Sequence, residues 1–172
     1  MKPCKRLVYI LALICGVAQA AERATQTMTG TVIGITDGDT LTLLDEQNAE
    51  YKIRLDGIDA PEKNQPFGTK SKESLSELVM GQAVAVEWKS KDRYGRIIGV
   101  VLLNGDSVNQ QQVDRGWAWH FVKYSDSEKL ATAERSAREA RLGLWVEESP
   151  VPPWEFRALK KNKDGQRPAK GL

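Results

Sequence analysis

The sequence contains one histidine and two cysteines among its 172 residues. One histidine excludes chemistry that needs two imidazoles, such as a two-histidine phosphodiesterase or a zinc site built from several histidines. Two cysteines exclude a disulfide-dense scaffold. The charged fraction of 28% beside 41% hydrophobic residues is typical of a globular chain rather than a disordered one, and the length predicts a single domain.

Residues 1–20 have the layout of a secretory signal peptide. Three basic residues within the first six precede an apolar stretch at 7–17 that is too short to span a membrane with ease. Small residues then stand at the cleavage position, in the sequence Ala-Gln-Ala at 18–20. We therefore predict export to the periplasm or the medium, with an uncleaved anchor or a buried helix as the alternatives.

Cleavage of the signal peptide would change the composition of the chain. Both cysteines, Cys4 and Cys15, would leave with it, so the mature protein would have no disulfide, thiol ligand or thiol nucleophile. Three of the 25 basic residues would leave too, so that 22 remain against 23 acidic residues, a net charge of −1. Binding to a polyanion would then depend on the local placement of basic side chains.

Alternating and β-branched stretches separated by turn residues predict five short strands, at 31–35, 40–43, 51–55, 83–89 and 96–103. Apolar residues at helical spacing predict three helices, at 69–80, 107–116 and 125–141. Between the third strand and the first helix, prolines and glycines predict a loop at 56–68. This order favours an α+β protein, a five-stranded OB-fold β-barrel with about three helices.

The barrel domain is expected to occupy residues 29–149. The polar segment at 21–28 is predicted as a flexible lead-in. From residue 150 the chain contains prolines and then a basic stretch with almost no apolar residues, which predicts a disordered tail over 150–172.

Three carboxylates stand in the predicted loops. Asp39 and Asp59 come from separate loops and could hold a hard cation such as Ca²⁺, which binds oxygen ligands and needs no imidazole. Glu62 lies three residues beyond Asp59 and is held by Pro61, so it could face the same cleft as a general base.

Two arginines complete this set. Arg54 and Arg96 carry planar guanidinium forks, which suit phosphate oxygens. Each motif alone has a plain structural reading, since Asp37-Gly38 is a common turn dipeptide and Arg54 could be a surface charge on a strand. Carboxylates, a cation and two arginines together, without histidine or cysteine, indicate phosphoryl transfer.

The chain resembles the staphylococcal (micrococcal) nuclease family, the thermonuclease homologues, from about residue 29 to residue 145. Three stretches match the family in order and spacing, ITDGDT at 35–40, IRLDGIDAPE at 53–62 and DRYGR at 92–96. The resemblance implies an OB barrel with three helices. It also implies a secreted, Ca²⁺-dependent nuclease that hydrolyses phosphodiester bonds of DNA, RNA or both.

The resemblance also implies a role for each residue at the centre of the site. Asp39, Asp59 and the backbone carbonyl of Ala60 match the Ca²⁺ ligands. Glu62 matches the general base that activates the attacking water. The phosphate and its developing negative charge are held at the two positions occupied by Arg54 and Arg96.

Three further positions match contacts to the nucleic acid, and they are Arg93, Tyr94 and Tyr124. Val122 replaces a second tyrosine of the family, while aromatic residues stand at 117, 119 and 121. We expect these aromatics to be half-buried core, with base stacking as the alternative. His120 is expected to be a structural or a surface residue.

Two other functions fit an OB barrel, a non-catalytic nucleic-acid-binding module and a module that binds a protein or a saccharide. The second does not require two arginines and three carboxylates at these spacings. We expect a monomer that acts on nucleic acid and, once the signal is cleaved, has no stable association with a membrane.

Overall fold

The computed structural model describes residues 24–165, and five long strands within them close into a barrel. The antiparallel pairs are β1–β2, β1–β5, β2–β3 and β5–β6, and a parallel pairing of β3 with β6 closes the barrel. The strands are β1 Gln26–Asp37, β2 Thr40–Leu44, β3 Glu50–Leu55, β4 Ile58–Asp59, β5 Ala83–Lys91, β6 Ile97–Leu103, β7 Asp106–Ser107 and β8 Trp119–His120. The predicted α+β class and OB-fold barrel are confirmed.

Helices pack around this barrel. They are α1 Gly68–Val79, α2 Val108–Asp114, α3 Glu128–Glu139, a 3₁₀ helix at Gly143–Val146 and α4 Pro153–Gly165. The described range thus holds four α-helices, one more than the three predicted. Over residues 24–165 no helix is long and apolar enough to cross a bilayer.

Helix α4 corrects the predicted disordered tail over residues 150–172. Pro153 at its first position suits a helix start, because a proline there loses no helical hydrogen bond. Trp154 then anchors the helix, with its ring centroid 5.2 Å from that of Phe121 and 5.6 Å from that of Trp119. The tail prediction was wrong over α4 because it gave no weight to the aromatic residues at the start of the segment.

The predicted flexible lead-in at residues 21–28 is also corrected in part. Strand β1 begins at Gln26, which pairs with Trp88 of β5. The predicted signal peptide at 1–20 and the end of the predicted tail at 166–172 lie outside the described residues.

The barrel interior is filled by the inward-facing apolar residues of the strands. The period-two alternation places one face of each strand inside. Helix α1 covers one end of this core with Leu75 and Val79, both fully buried. The fully or almost fully buried strand residues are Val32, Leu41, Leu43, Ile53, Leu55, Val86 and Val101.

A short strand pair inside the predicted loop at 56–68 fixes the segment that follows β3. Asp59 of β4 pairs with Trp119 of β8, and the carbonyl of Gly57 accepts a hydrogen bond of 2.8 Å from the amide of Phe121. Gly57 has a φ of 73°, a conformation that favours glycine. The loop prediction missed this pair because two residues are too few to show an alternating pattern.

Candidate active site

Two buried carboxylates, those of Asp39 and Asp59, form ion pairs with the same arginine, Arg54. Asp39 lies in the turn between β1 and β2, and Arg54 of β3 pairs with Thr40 of β2. The guanidinium of Arg54 places Nη1 2.8 Å from Oδ2 of Asp39 and Nη2 2.9 Å from Oδ1 of Asp59. The two carboxylates belong to residues that are only 5% and 1% exposed. The structure therefore brings together three of the residues predicted from separate motifs.

The surroundings of Asp39 disfavour its charged form. Burial raises the pKa of Asp39 to about 7, and the neighbouring carboxylates of Asp37 and Asp59 act in the same direction. The guanidinium of Arg54 and the backbone amide of Ala60, which donates to Oδ2 of Asp39 at 2.7 Å, oppose the rise in pKa. A further cation beside this carboxylate would stabilise its ionised form.

Ala60 ties the two carboxylate-bearing loops together. It follows Asp59 directly, and its amide binds Asp39, which lies 21 positions earlier in the chain. Ala60 is almost completely buried. Ala60 therefore lies beside both carboxylate-bearing residues.

Arg157 of α4 is a residue of the site that the sequence analysis missed. Its guanidinium spans both carboxylate oxygens of Asp59, with Nη2 2.7 Å from Oδ2 and Nη1 3.2 Å from Oδ1. Nη1 also lies 2.7 Å from Oε1 of Glu62. Partial burial lowers the pKa of Arg157, but these hydrogen bonds and charges outweigh it and raise the pKa overall. In the sequence alone, nothing distinguishes Arg157 from the other basic residues of the C-terminal segment, which would be expected to face solvent.

The donor set fits a hard cation. Within residues 24–165 no three histidine, cysteine, aspartate or glutamate side chains form a ready-made metal cage. Asp39 and Asp59, however, are joined by a single guanidinium and offer only oxygen atoms. Ca²⁺ and Mg²⁺ accept such carboxylates with backbone oxygens and water as their other ligands.

The predicted site residues share one open cleft of about 1260 Å³. Eight of the nine predicted site residues line this cleft, and Ala60 is the exception. The eight are Asp39, Arg54, Asp59, Glu62, Arg93, Tyr94, Arg96 and Tyr124.

The turn between β5 and β6 carries three of the predicted site residues, Arg93, Tyr94 and Arg96. Hydrogen bonds to Asp92 fix the conformation of this turn. Oδ1 of Asp92 accepts hydrogen bonds from the amides of Tyr94 and Arg96, and Oδ2 accepts one of 2.8 Å from Nε of Arg96. Partial burial raises the pKa of Asp92, but these hydrogen bonds outweigh it and lower the pKa overall. Tyr94 is 69% exposed, and its hydroxyl accepts a hydrogen bond of 2.6 Å from Arg93. This turn thus gives the cleft a charged and aromatic wall.

Tyr124 lies on another part of the cleft wall. Its ring is 66% exposed and contacts Phe121, with 4.8 Å between the ring centroids. Phe121 also lines the cleft, whereas Trp119 is buried against Trp145. The predicted aromatic run is therefore divided between core and cleft.

His120 is a structural residue, the first of the two expected alternatives. The residue is 5% exposed, and its Nε2 lies 3.2 Å from Oγ of Ser125. It is absent from the lining of the cleft.

Gln112 of α2 is a second residue that the sequence analysis missed. It is completely buried, and its Nε2 donates to the carbonyls of Gly38, at 2.8 Å, and Ser71, at 3.1 Å. Its Oε1 accepts a hydrogen bond of 2.7 Å from the hydroxyl of Ser74. Gln112 therefore joins α1, α2 and the turn that carries Asp39. The apolar spacing of α2 would have placed Gln112 on its buried face, as an unusual polar residue of the core. Its hydrogen-bond partners could not be predicted from the sequence.

Comparisons with known proteins agree with this geometry. The family model described as "Staphylococcal nuclease homologue" matches residues 52–147. An uncharacterized endonuclease of Haemophilus influenzae is 40% identical over 157 residues, which cover 91% of this chain and 87% of that protein. An uncharacterized endonuclease of Escherichia coli is 42% identical over 132 residues, covering 76% of this chain and 86% of that protein.

A plant protein is also similar. The staphylococcal-like nuclease CAN1 of Arabidopsis thaliana is 40% identical over 116 residues, or 67% of this chain. The matched part is only 35% of the plant protein, so the chain spans about a third of that relative and most of the bacterial ones. The match of the family model and the identity to the bacterial endonucleases lead to one conclusion: the chain belongs to the staphylococcal nuclease family and is a phosphodiester hydrolase.

Proposed function

We propose that this protein is an exported nuclease that depends on Ca²⁺ and hydrolyses DNA, RNA or both by attack of water on phosphorus. The observation that carries this proposal is the pairing of Asp39 and Asp59 across Arg54, with Glu62 at the edge of the same cleft. Asp39, Asp59 and the backbone carbonyl of Ala60 would hold the Ca²⁺, which would supply Lewis acidity for the attack on the scissile phosphate.

The chain's own residues would bind the phosphate and move the proton. Glu62 has a side chain that is 40% exposed, so its carboxylate can reach a water molecule in the cleft and accept its proton. Arg54 and Arg96 lie in the same cleft and can donate to phosphate oxygens as negative charge builds on them. Tyr94 and Tyr124 are exposed aromatic surfaces on which a base can stack.

A cleavage assay with parallel substrates tests the proposal. Single-stranded DNA, duplex DNA and RNA are incubated with Ca²⁺, with Mg²⁺ or with chelator. We expect cleavage with Ca²⁺ and none with chelator. Full activity in excess chelator would contradict the dependence on a cation.

A variant of the proposed base supplies the second arm of the test. Glu62→Gln keeps the size of the side chain but cannot accept the proton, so kcat is expected to fall by about 10² to 10⁴. Glu77→Gln, an exposed glutamate on α1, is the matched control and should keep normal turnover. A Glu62→Gln variant with normal kcat would show that Glu62 is not the base.

Export is tested separately. Cells that express the full chain should release a protein that begins near Ala21, and its intact mass defines the cleavage site. A released or membrane-bound product that keeps Cys4 and Cys15 would contradict cleavage of the signal. Reductant should leave the stability and activity of the cleaved protein unchanged, since the sequence from residue 21 onward has no cysteine.

A further inference from the structure

A second groove adjoins the main cleft and is lined mainly by basic side chains. Its volume is about 410 Å³, and its polar lining consists of Glu62, Lys63, Asn64, Arg157, Lys160 and Lys161. Four of these side chains are cationic and one is a carboxylate. The three lysines are exposed to solvent.

The groove and the main cleft meet at the proposed base. Glu62 and Arg157 line both cavities, while Tyr94 and Tyr124 line only the main cleft. A nucleic-acid strand that crosses the site would therefore lie in the main cleft, beside Tyr94 and Tyr124, on one side of Glu62. On the other side of Glu62 the same strand would continue into the groove.

Helix α4 presents its basic residues to the groove on one face. Lys160 and Lys161 follow Arg157 by three and four positions. Side chains at these spacings are neighbours on a helix surface. Arg157 is turned toward the carboxylates of Asp59 and Glu62. The same face therefore carries the two lysines beside the site.

The two walls of the groove are joined by Gln65. Its Oε1 accepts a hydrogen bond of 3.1 Å from the amide of Glu62, and its Nε2 donates one of 2.6 Å to the carbonyl of Val151, just before α4. Pro153 at the start of α4 is buried, and Trp154 stacks on Phe121 with an interplanar angle of 4°. These contacts hold α4 in place beside the Glu62 loop, so the groove has fixed walls.

We propose that this groove is a second arm of the substrate site, in which Lys63, Lys160 and Lys161 bind phosphates of the strand beyond the scissile phosphate. The proposal rests on the proposed nuclease function. Lysine binds phosphate as a point charge, and a basic groove continuous with a nucleic-acid cleft favours the same polyanion. Because the mature chain carries a predicted net charge close to zero, such local clusters would supply much of its attraction for nucleic acid.

The salt dependence of binding tests the proposal without the need for catalysis. A labelled single strand is titrated with protein in chelator, and its fluorescence anisotropy is followed at several salt concentrations. The double variant Lys160→Ala/Lys161→Ala should bind the long strand more weakly. If each lysine contacts one phosphate, the slope of log K against log salt should become shallower by about 1.4.

A charge-matched control separates phosphate contacts from the general field of the protein. Lys72 of α1 and Lys129 of α3 are exposed and lie outside the linings of the cleft and the groove. Lys72→Ala/Lys129→Ala removes the same charge, and its slope should stay close to that of the unaltered protein. The same control variant should also cleave nucleic acid with unchanged kcat, since neither Lys72 nor Lys129 lines the cleft or the groove.

The failures of the two proposals are distinguishable. If the unaltered protein cleaves nucleic acid but both double variants show the same salt slope, the groove is not a phosphate site and the nuclease proposal stands. If the unaltered protein neither cleaves nor binds nucleic acid, both proposals are overturned. A shallower slope for Lys160→Ala/Lys161→Ala alone supports the second arm.

Discussion

Arg157 and Asp59 are 98 positions apart in the sequence, yet the guanidinium of Arg157 covers both carboxylate oxygens of Asp59. The side chain of Asp59 is 2% exposed, and that of Arg157 is 44% exposed. Arg54 binds the same carboxylate from the barrel side at 2.9 Å. Asp59 is thus held between one arginine of the barrel and one of the C-terminal helix, and a cation that binds Asp59 must compete with Arg157.

Arg157→Ala is therefore expected to raise the affinity of the site for Ca²⁺. The substitution frees both oxygens of Asp59 and removes a positive charge from the site. In chelator the free energy of unfolding should fall by about 1 kcal/mol, since the side chain of Arg157 is 44% exposed and Asp59 keeps its ion pair with Arg54. Calorimetric titration with Ca²⁺ measures the affinity, and chemical denaturation measures the stability.

Arg135→Ala is the control for this prediction. Arg135 is exposed on α3, and its side chain donates to the hydroxyl of Thr132. Its removal changes the net charge equally, so Ca²⁺ affinity should stay at the unaltered value. Equal affinities for both variants would show that Arg157 and the cation do not compete.

Arg54→Lys tests the bridge between the two carboxylates. The planar guanidinium reaches Asp39 and Asp59 with separate nitrogens, whereas an ammonium group is a single point that cannot hold both in fixed positions. We expect kcat at saturating substrate to fall by at least about 10², because the carboxylates would lose their fixed positions and the phosphate would lose a fixed donor, as on loss of an oxyanion-stabilising donor.

The alternative for Arg54 is general attraction of the polyanion. In that case Arg54→Lys would keep near-normal kcat, and Arg54→Ala would mainly raise KM and flatten the salt dependence. Measurement of kcat and KM for both variants distinguishes the two. The side chain of Arg54 is only 15% exposed, which favours the bridging role.

The barrel was predictable because each long strand carries a clear alternating pattern between turn residues. The site was predictable in part because its residues lie in three short motifs, each of which ends or begins at a strand. Asp39, Arg54 and Asp59 meet because β2 and β3 are adjacent in the barrel and β4 follows directly. Local sequence was sufficient for these positions.

Arg157 and Gln112 were not predictable for a different reason. Each acts through partners that are remote in the chain, 95 or 98 positions away for Arg157 and 74 positions away for Gln112 bound to Gly38. Neither residue lies in a motif with the residues it contacts. Only the packing of α2 and α4 against the barrel brings them to the site.

Asp92→Asn is expected to disturb the turn between β5 and β6. The asparagine amide cannot accept hydrogen bonds with both of its ends, so it cannot hold the amides of Tyr94 and Arg96 and the Nε of Arg96 together. Arg96 loses its orientation, and kcat should fall while Ca²⁺ affinity stays unchanged. Steady-state kinetics and calorimetry on the same protein measure both quantities.

The lowered pKa of Asp92 adds a pH dependence to this prediction. A lowered folded-state pKa means that the ionised form stabilises the fold above the ordinary value of 3.8, and that this contribution is lost as the pH falls through the lowered pKa. The unaltered protein should therefore lose more stability than Asp92→Asn on acidification below pH 3.8. Parallel acid titrations followed by circular dichroism would contradict the role of Asp92 if the two curves coincide.

Gln112→Leu tests how the core positions the site. Leucine has a similar size but no polar atoms, so the carbonyl of Gly38 and the hydroxyl of Ser74 would lose a buried partner. An unsatisfied buried group costs about 1 to 3 kcal/mol, and the expected loss of unfolding free energy is about 2 to 4 kcal/mol. Gly38 directly precedes Asp39, so a shift of its carbonyl would also displace the carboxylate and lower Ca²⁺ affinity.

Gln111→Leu is the control for this prediction. Gln111 is the neighbouring residue of α2 and is only half-buried, so this substitution should change neither stability nor Ca²⁺ affinity appreciably. Urea denaturation and Ca²⁺ calorimetry on the two variants decide the matter. A Gln112→Leu protein that is less stable but binds Ca²⁺ normally would limit Gln112 to a role in packing, while loss of both would make it a residue that positions Asp39.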